Sequence, residues 1–187
     1  MEKSNLPKLC DIHTIIFDFD GIFTNNKVYF DQNGNEIVVC DKSDSLGFDI
    51  LKKYIKKNNH NIRYFVLSKE KNDVVSKRCK KLNINCFNGI DNKVFFINEY
   101  LSKKINNNED LFRGIIYLGN DLNDLEAMRK SGFSVAPSDA NKKIKEVADL
   151  VINKKGGRGF IREFIEKLLN LDSYNEKELI SLINQKI

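Results

Sequence analysis

The sequence predicts a doubly wound α/β protein on a parallel β-sheet, and two observations carry the prediction. Short β-rich runs alternate with longer segments of helical period, and the runs are apolar throughout, without the alternation of a sheet wetted on one face. A strand buried on both faces needs helices above and below it, which is the doubly wound arrangement. The length agrees: a chain of 187 residues hides roughly 70% of its unfolded surface, enough for a core without staples.

Thr14-Ile15-Ile16-Phe17 reads as the first strand. Residues 27–40 then break the alternation, because Val28-Tyr29-Phe30 and Ile37-Val38-Val39 flank Gln32-Asn33-Gly34-Asn35. Asn-Gly between β-rich runs is the strongest short-range hairpin signal, so a hairpin flap is expected over about residues 25–41. Helical spacing at 46–57 leads to strand Tyr64-Phe65-Val66-Leu67, helix 72–82 and a short apolar segment at 84–87. Helix 93–104, strand Ile115-Ile116-Tyr117-Leu118, helix 122–130 and strand Ser134-Val135-Ala136 follow. Helix 141–147, strand Leu150-Val151-Ile152 and helix 158–169 complete the pattern, with a helical tail over 172–187 carrying Tyr174, Leu179, Ile180, Leu182 and Ile183. No repeat, Pro- or Gly-rich linker or second-domain boundary interrupts it, so 1–187 is expected to be one domain. The many asparagines carry no mechanism at this level.

Composition excludes several classes. At 41% hydrophobic and 30% charged residues, the chain is neither disordered, collagen-like nor a disulfide scaffold. No apolar run approaches the ~20 residues of a membrane span. Glu2 and Asp11 with no apolar core between them do not make a signal peptide, and a cytoplasmic location is expected. Cys10, Cys40, Cys79 and Cys86 form no C-x-x-C pair and read as free thiols, not as zinc ligands or bridges. The net charge of +5 comes from dispersed lysines. Lys52, Lys53, Lys56 and Lys57, or Lys142 and Lys143, fall at helical spacing as solvated faces, so small anions rather than nucleic acid are the expected partners.

Ligands of an open α/β sheet bind beyond the carboxyl ends of its strands. The first strand runs into Asp18-Phe19-Asp20-Gly21-Ile22-Phe23-Thr24, whose closely spaced carboxylates would put their charge into one crevice, although Asp and Gly also make ordinary turns. Ser68 follows the second strand, Asn92-Lys93 the short apolar segment, and Gly119-Asn120-Asp121-Leu122-Asn123-Asp124 the next long strand. In this order, over residues 14–165, these groups resemble the four motifs of the haloacid dehalogenase-like phosphatases.

The resemblance implies a Rossmann-like sheet and an aspartyl-phosphate mechanism. Asp18 would be the nucleophile, Asp20 the general acid and base, Ser68 a donor to a phosphoryl oxygen and Lys93 the compensating charge. Mg²⁺ would be held by Asp18, the Asp20 carbonyl and either Asn120 or Asp121, with Asp124 orienting the ligands from behind. Two departures stand out. Asn120 occupies a position where these phosphatases usually have a metal-binding aspartate, and Lys69 follows the second-motif serine where glycine is frequent.

The D-x-D-G-x-x-T run, the hairpin, Ser43-Asp44-Ser45-Leu46-Gly47 and Gly156-Gly157-Arg158-Gly159-Phe160-Ile161-Arg162-Glu163 look like the branch without a large cap domain. That branch acts on phosphorylated 2-keto-3-deoxy sugar acids, including octulosonate 8-phosphate and nonulosonate (sialic-acid-type) 9-phosphates. Its members imply Thr24, Asp44, Ser45 and Arg158 at the substrate and a homotetramer in which hairpins and a neighbour's C-terminal segment close each site. Glu70, Arg78 and Lys81 resemble the nonulosonate members, where octulosonate members tend to have arginine at position 70, though the three also make an ordinary charged face. The expectation is therefore a Mg²⁺-dependent nonulosonate 9-phosphate phosphatase, with octulosonate 8-phosphate as the alternative substrate. Asn120 leaves open a catalytically silent oligomerisation domain of the kind found beside acylneuraminate cytidylyltransferases; the intact Asp18, Asp20 and Lys93 argue against it. The apolar hairpin itself calls for self-association.

Overall fold

The computed structural model describes residues 6–105 and 110–185. Residues 1–5 of the N-terminal segment and the last two residues of the expected tail lie outside the described residues.

Strand β1 (Thr14–Phe17) is buried along its whole length and pairs in parallel with β4 (Arg63–Leu67) on one side and β6 (Ile115–Leu118) on the other. With β5 (Asn85–Phe87), β7 (Phe133–Pro137) and β8 (Leu150–Ile152) the sheet runs β5-β4-β1-β6-β7-β8, every pair parallel. From β1 the chain winds outward through β4 and β5, then returns to β6 and winds the other way. The strand order reverses between β1 and β6, which opens a crevice at their carboxyl ends.

Helices cover both faces: α1 (Ser43–Lys57), α2 (Asp73–Leu82), α6 (Phe160–Leu168) and α7 (Glu176–Ile183) on one, α3 (Lys93–Ser102), α4 (Leu125–Lys130) and α5 (Lys142–Val147) on the other. Successive strand residues feed opposite cores, Ile15 and Phe17 one, Ile16 the other, which is why the runs carry no polar alternation. Phe17 lies edge-on to Phe48 at 5.1 Å, and Phe23 stacks on Phe48 at 5.6 Å. Among the described residues no helix is long and apolar enough to cross a membrane.

The structure adjusts several expected boundaries. Helix α1 begins at Ser43, three residues before the apolar pattern. The expected helix at 122–130 divides into a 3-10 turn, Leu122–Asp124, and α4, because Asp121 and Asp124 form a capping box there. The helix expected from 158 starts at Phe160, since Gly157 and Gly159 adopt φ of 61° and 77° in a loop beneath the first motif. There the Gly157 N–H donates to the Ile22 carbonyl at 3.1 Å, and a Cβ on Gly156 would stand 1.8 Å from the Gly21 oxygen.

The asparagines, without a mechanism in the sequence, have one in the fold. Asn72, Asn92, Asn141 and Asn175 accept N–H bonds at the starts of α2, α3, α5 and α7. Asn26, Asn59, Asn83 and Asn170 are the non-glycine residues with positive φ among those described.

The hairpin forms as a separate ribbon of β2 (Tyr29–Phe30) and β3 (Glu36–Ile37), with Tyr29 opposite Ile37 and Phe30 opposite Glu36. Its strands are shorter than the apolar runs because no core lies beneath them. Val28, Tyr29, Phe30, Ile37 and Val39 remain 49–66% exposed.

Candidate active site

The site grows from the β1 ladder. The Asp18 N–H donates to the Leu118 carbonyl at 2.9 Å, carrying the sheet one residue past β1, and Gly21 at φ 73° then turns the chain. Strand β4 delivers Ser68, which is buried and accepts the Glu70 N–H at 3.0 Å. Helix α3, capped by Asn92, presents Lys93 as its first residue, and β6 leads through Gly119 to Asn120 and Asp124. A Cβ on Gly119 would come within 2.6 Å of the Asp124 Cβ, so only glycine lets that aspartate fold back under the loop.

Lys93 is 4% exposed and its Nζ donates to Oδ1 of Asp18 and Oδ1 of Asp124, each at 2.7 Å. Asp124 is fully buried and takes four bonds. Oδ1 accepts Lys93 and the Tyr117 hydroxyl (2.8 Å), while Oδ2 accepts the N–H groups of Asn120 (3.0 Å) and Asp121 (3.3 Å). Two buried carboxylates thus share one ammonium. Burial and the Asp124 charge push the Asp18 carboxyl up to about 7 against the pull of Lys93. Burial works against the Lys93 ammonium, but Asp18 and Asp124 outweigh it and hold its proton above the usual lysine range. The Asp20 carboxyl is raised by burial, then by the charges of Glu70 and of Glu36 on the hairpin.

The residues present fit a hard divalent cation. The cluster is short of one positive charge, and the Asn120 Oδ1 is a buried acceptor with no partner. That amide packs on Gly21, where a Cβ would lie 1.8 Å from Nδ2. The Asp18 carboxylate, the Asp20 carbonyl and the Asn120 amide would make an all-oxygen donor set of the kind Mg²⁺ takes. Among the described residues no three His, Cys, Asp or Glu side chains converge to hold a metal, so the set has to be this mixed one. Asp121, the other sequence candidate, is exposed and spends Oδ1 on the Leu122 N–H at 2.8 Å.

Above these groups lies a cleft of about 480 Å³ with Asp18, Asp20 and Ser68 on its floor and Lys69, Glu70, Lys71 and Asp91 at its rim. Lys69 reaches Asp91 at 3.8 Å. Larger hollows, about 710 Å³ beside His13 and Phe133 and about 540 Å³ beside Lys52 and His60, lie away from the switch point.

The remaining sequence candidates separate. Thr24, expected at the substrate, is fully buried under the loop, where its Oγ1 accepts the Gly21 and Asn26 N–H groups at 3.2 Å. Asp44, also expected at the substrate, is 1% exposed and turned inward, its Oδ1 accepting the Arg162 N–H of α6 at 2.9 Å. Both are enclosed by the fold, and Thr24 also hydrogen-bonds the Asp20 carboxyl of the cleft. Arg78 and Ser45 do meet: the Arg78 Nη2 donates to the Ser45 Oγ at 3.0 Å and to the Asp41 carbonyl at 3.1 Å, at the hairpin exit. Arg158 is exposed nearby, its charge adding to the Ser43 hydrogen bonds that hold the Asp41 carboxyl low. Glu70 stands at the cleft rim, its Oε1 accepting the Lys71 and Asn72 N–H groups at 2.7 and 2.9 Å. Lys81 is exposed in the last turn of α2, away from these groups.

Sequence reasoning missed Tyr117. A tyrosine inside an otherwise aliphatic buried strand was the available signal, since a buried hydroxyl needs a partner.

Comparison with known proteins agrees with this geometry. The family model for haloacid dehalogenase-like hydrolases matches residues 5–164. The 3-deoxy-D-manno-octulosonate 8-phosphate phosphatases of Salmonella typhi and Escherichia coli K12 are each 30% identical over 165 residues, 88% of this chain and 82% of theirs. A haloacid dehalogenase family hydrolase of Streptomyces avermitilis superposes with a TM-score of 0.81 at 32% identity, covering 93% of this chain and 95% of that one. The Moraxella catarrhalis 3-deoxy-D-manno-octulosonate 8-phosphate phosphatase, solved with magnesium, phosphate and KDO, superposes at 0.75 with 28% identity, covering 87% and 88%. A match that runs through all four motif positions and nearly the whole sheet makes this chain a member of the haloacid dehalogenase-like hydrolase family and a phosphatase within it.

Proposed function

We propose that the protein hydrolyses the phosphate monoester of a 2-keto-3-deoxy sugar acid, a nonulosonate 9-phosphate, with Mg²⁺ and through a phosphoryl-Asp18 intermediate. The observation that carries the chemistry is the buried ammonium of Lys93 at 2.7 Å from Asp18, beneath a cleft that also holds Asp20 and Ser68. An Asp18 oxygen attacks phosphorus and the bond to the sugar oxygen breaks, while Asp20 gives that oxygen its proton. Asp20 then takes a proton from water, whose oxygen attacks phosphorus and frees phosphate from Asp18. The raised proton affinity of Asp20, from burial and then Glu70 and Glu36, suits the donor role. Lys93 and the Ser68 hydroxyl balance and bind the phosphoryl oxygens. Mg²⁺ on Asp18, the Asp20 carbonyl and Asn120 would add Lewis-acid stabilisation of the same oxygens. The buried Lys93 ammonium between Asp18 and Asp124 argues against a silent oligomerisation domain.

The relatives named octulosonate 8-phosphate phosphatases, one solved with magnesium and another, from Haemophilus influenzae, in a cobalt-bound form, support a sugar-acid phosphate and a divalent ion. Glu70 at the rim supports the nine-carbon substrate, since the octulosonate branch tends to carry arginine there. The eight-carbon substrate is the second reading, favoured by the names of those relatives. The exposed apolar hairpin supports a homotetramer.

Phosphate release with Mg²⁺ tests this directly. Nonulosonate 9-phosphate is expected to exceed octulosonate 8-phosphate in kcat/KM by at least about tenfold, the sort of margin that loss or repulsion of a polar contact produces. The reverse order assigns the eight-carbon substrate, and release from neither rejects the sugar-acid reading.

A further inference from the structure

Tyr117 lies in β6, on the strand that leads to the fourth motif, and its side chain is fully buried. A phenol hydroxyl loses water at a cost unless it finds a partner, and this one donates to Asp124 Oδ1 at 2.8 Å. The same oxygen accepts Lys93 Nζ at 2.7 Å, and Lys93 reaches Asp18 at 2.7 Å. A continuous buried chain therefore links Tyr117, through Asp124 and Lys93, to Asp18. Burial, together with the charges of Asp124 and Asp18, keeps the phenol protonated far above the ordinary tyrosine range, so at any working pH it acts as a donor.

We propose that Tyr117 is a positioning residue for phosphoryl transfer: its hydroxyl shares Asp124 Oδ1 with Lys93, weakens that carboxylate's hold on the ammonium, and leaves the charge available at Asp18. An ammonium has three N–H groups, and the carboxylates take two of them. How the charge divides between Asp124 on one side and Asp18 with its phosphoryl group on the other depends on what else Asp124 accepts. Its Oδ2 is saturated by the Asn120 and Asp121 amides, which the backbone holds in place. Oδ1 has Tyr117 as the donor beside Lys93. Without the hydroxyl, the buried Oδ1 has Lys93 alone, and the ammonium is drawn toward Asp124. The loss then falls where phosphoryl charge develops, in the transition state, and not on ground-state contacts at the rim.

The inference rests on the phosphatase reading, and the test separates the two. Tyr117→Phe removes one oxygen and keeps the ring in the core formed with Phe65, Ile97 and Met128. Steady-state phosphate release is measured with Mg²⁺ on p-nitrophenyl phosphate and on the preferred sugar-acid phosphate, alongside thermal unfolding. Expected is a fall in kcat of roughly 10- to 100-fold, the range for a hydrogen bond to a charged group, with KM unchanged within about twofold and the unfolding midpoint within a few degrees of wild type. Wild-type kcat in the variant overturns the proposal. So does a loss shared between kcat and KM with a marked fall in the midpoint, the mark of a purely structural tyrosine. No release from any monoester by the wild type rejects the phosphatase reading itself, and the proposal with it.

Discussion

Asp18 and Asn120 are the residues at which local charge decides most. Asp18→Asn keeps the shape and removes the charge of the proposed nucleophile, so phosphate release is expected to drop below a hundredth of wild type, roughly what the loss of a covalent step costs. The same substitution leaves Lys93 paired with Asp124 alone, a neutral buried pair in place of one ammonium between two carboxylates. Its unfolding midpoint without metal is therefore expected at or above that of the wild type, and a midpoint well below it would contradict the charge argument. Asn120→Asp should do the opposite. A further buried carboxylate lowers the metal-free midpoint, and Mg²⁺ restores it while binding more tightly by calorimetry than to wild type. Asp121→Asn, at an exposed cap, should leave Mg²⁺ affinity within about twofold of wild type; loss of binding there would move the metal role to Asp121.

At the scale of elements, the hairpin exit is where α1, α2 and α6 are tied together. Arg78 of α2 binds Ser45 and the Asp41 carbonyl, and Asp44 of α1 accepts the N-terminal amides of α6. Burial pushes the Asp44 carboxyl from 3.8 to about 6. The folded protein thus holds this proton more tightly than the unfolded chain does. The stabilisation is complete below about pH 4 and is lost as pH rises through about 6. Asp44→Asn retains an oxygen for the Arg162 N–H without the titration. It is expected to be more stable than wild type at pH 7 by roughly 1–3 kcal/mol, the gap narrowing toward pH 4. Urea unfolding at the two pH values measures this, and a gap that widens on acidification would reverse the assignment.

For the whole molecule, the open question for experiment is how the hairpins are covered. Five large apolar side chains at 49–66% exposure on one ribbon leave apolar surface of the kind that marks an interface. Light scattering is expected to give a tetramer. Phe30→Asp, at a position 66% exposed where the monomer fold has little to lose, should yield monomers with an unchanged far-UV spectrum. A stable wild-type monomer at micromolar concentration would remove the tetramer.

The sequence by itself determined the layered fold and the ordered motifs. Central strands buried on both faces must be apolar throughout, as 14–17 and 115–118 are, and chemistry at a switch point must come from strand ends, where Asp18, Ser68 and Asn120 stand. Both are properties of a residue's place along its own element. The tertiary structure alone decided the rest. Thr24 and Asp44 carry the polar chemistry of a binding site, yet long-range packing encloses them, and Thr24 Oγ1 and Asp44 Oδ1 accept backbone amides. The asparagines became caps and left-handed turns only once the helix ends were set. Tyr117 joined the site because one buried hydroxyl lies 2.8 Å from Asp124. Periodicity reports which face a residue occupies; which polar group it meets there depends on elements far away in the chain, brought within hydrogen-bond distance only by the packed fold.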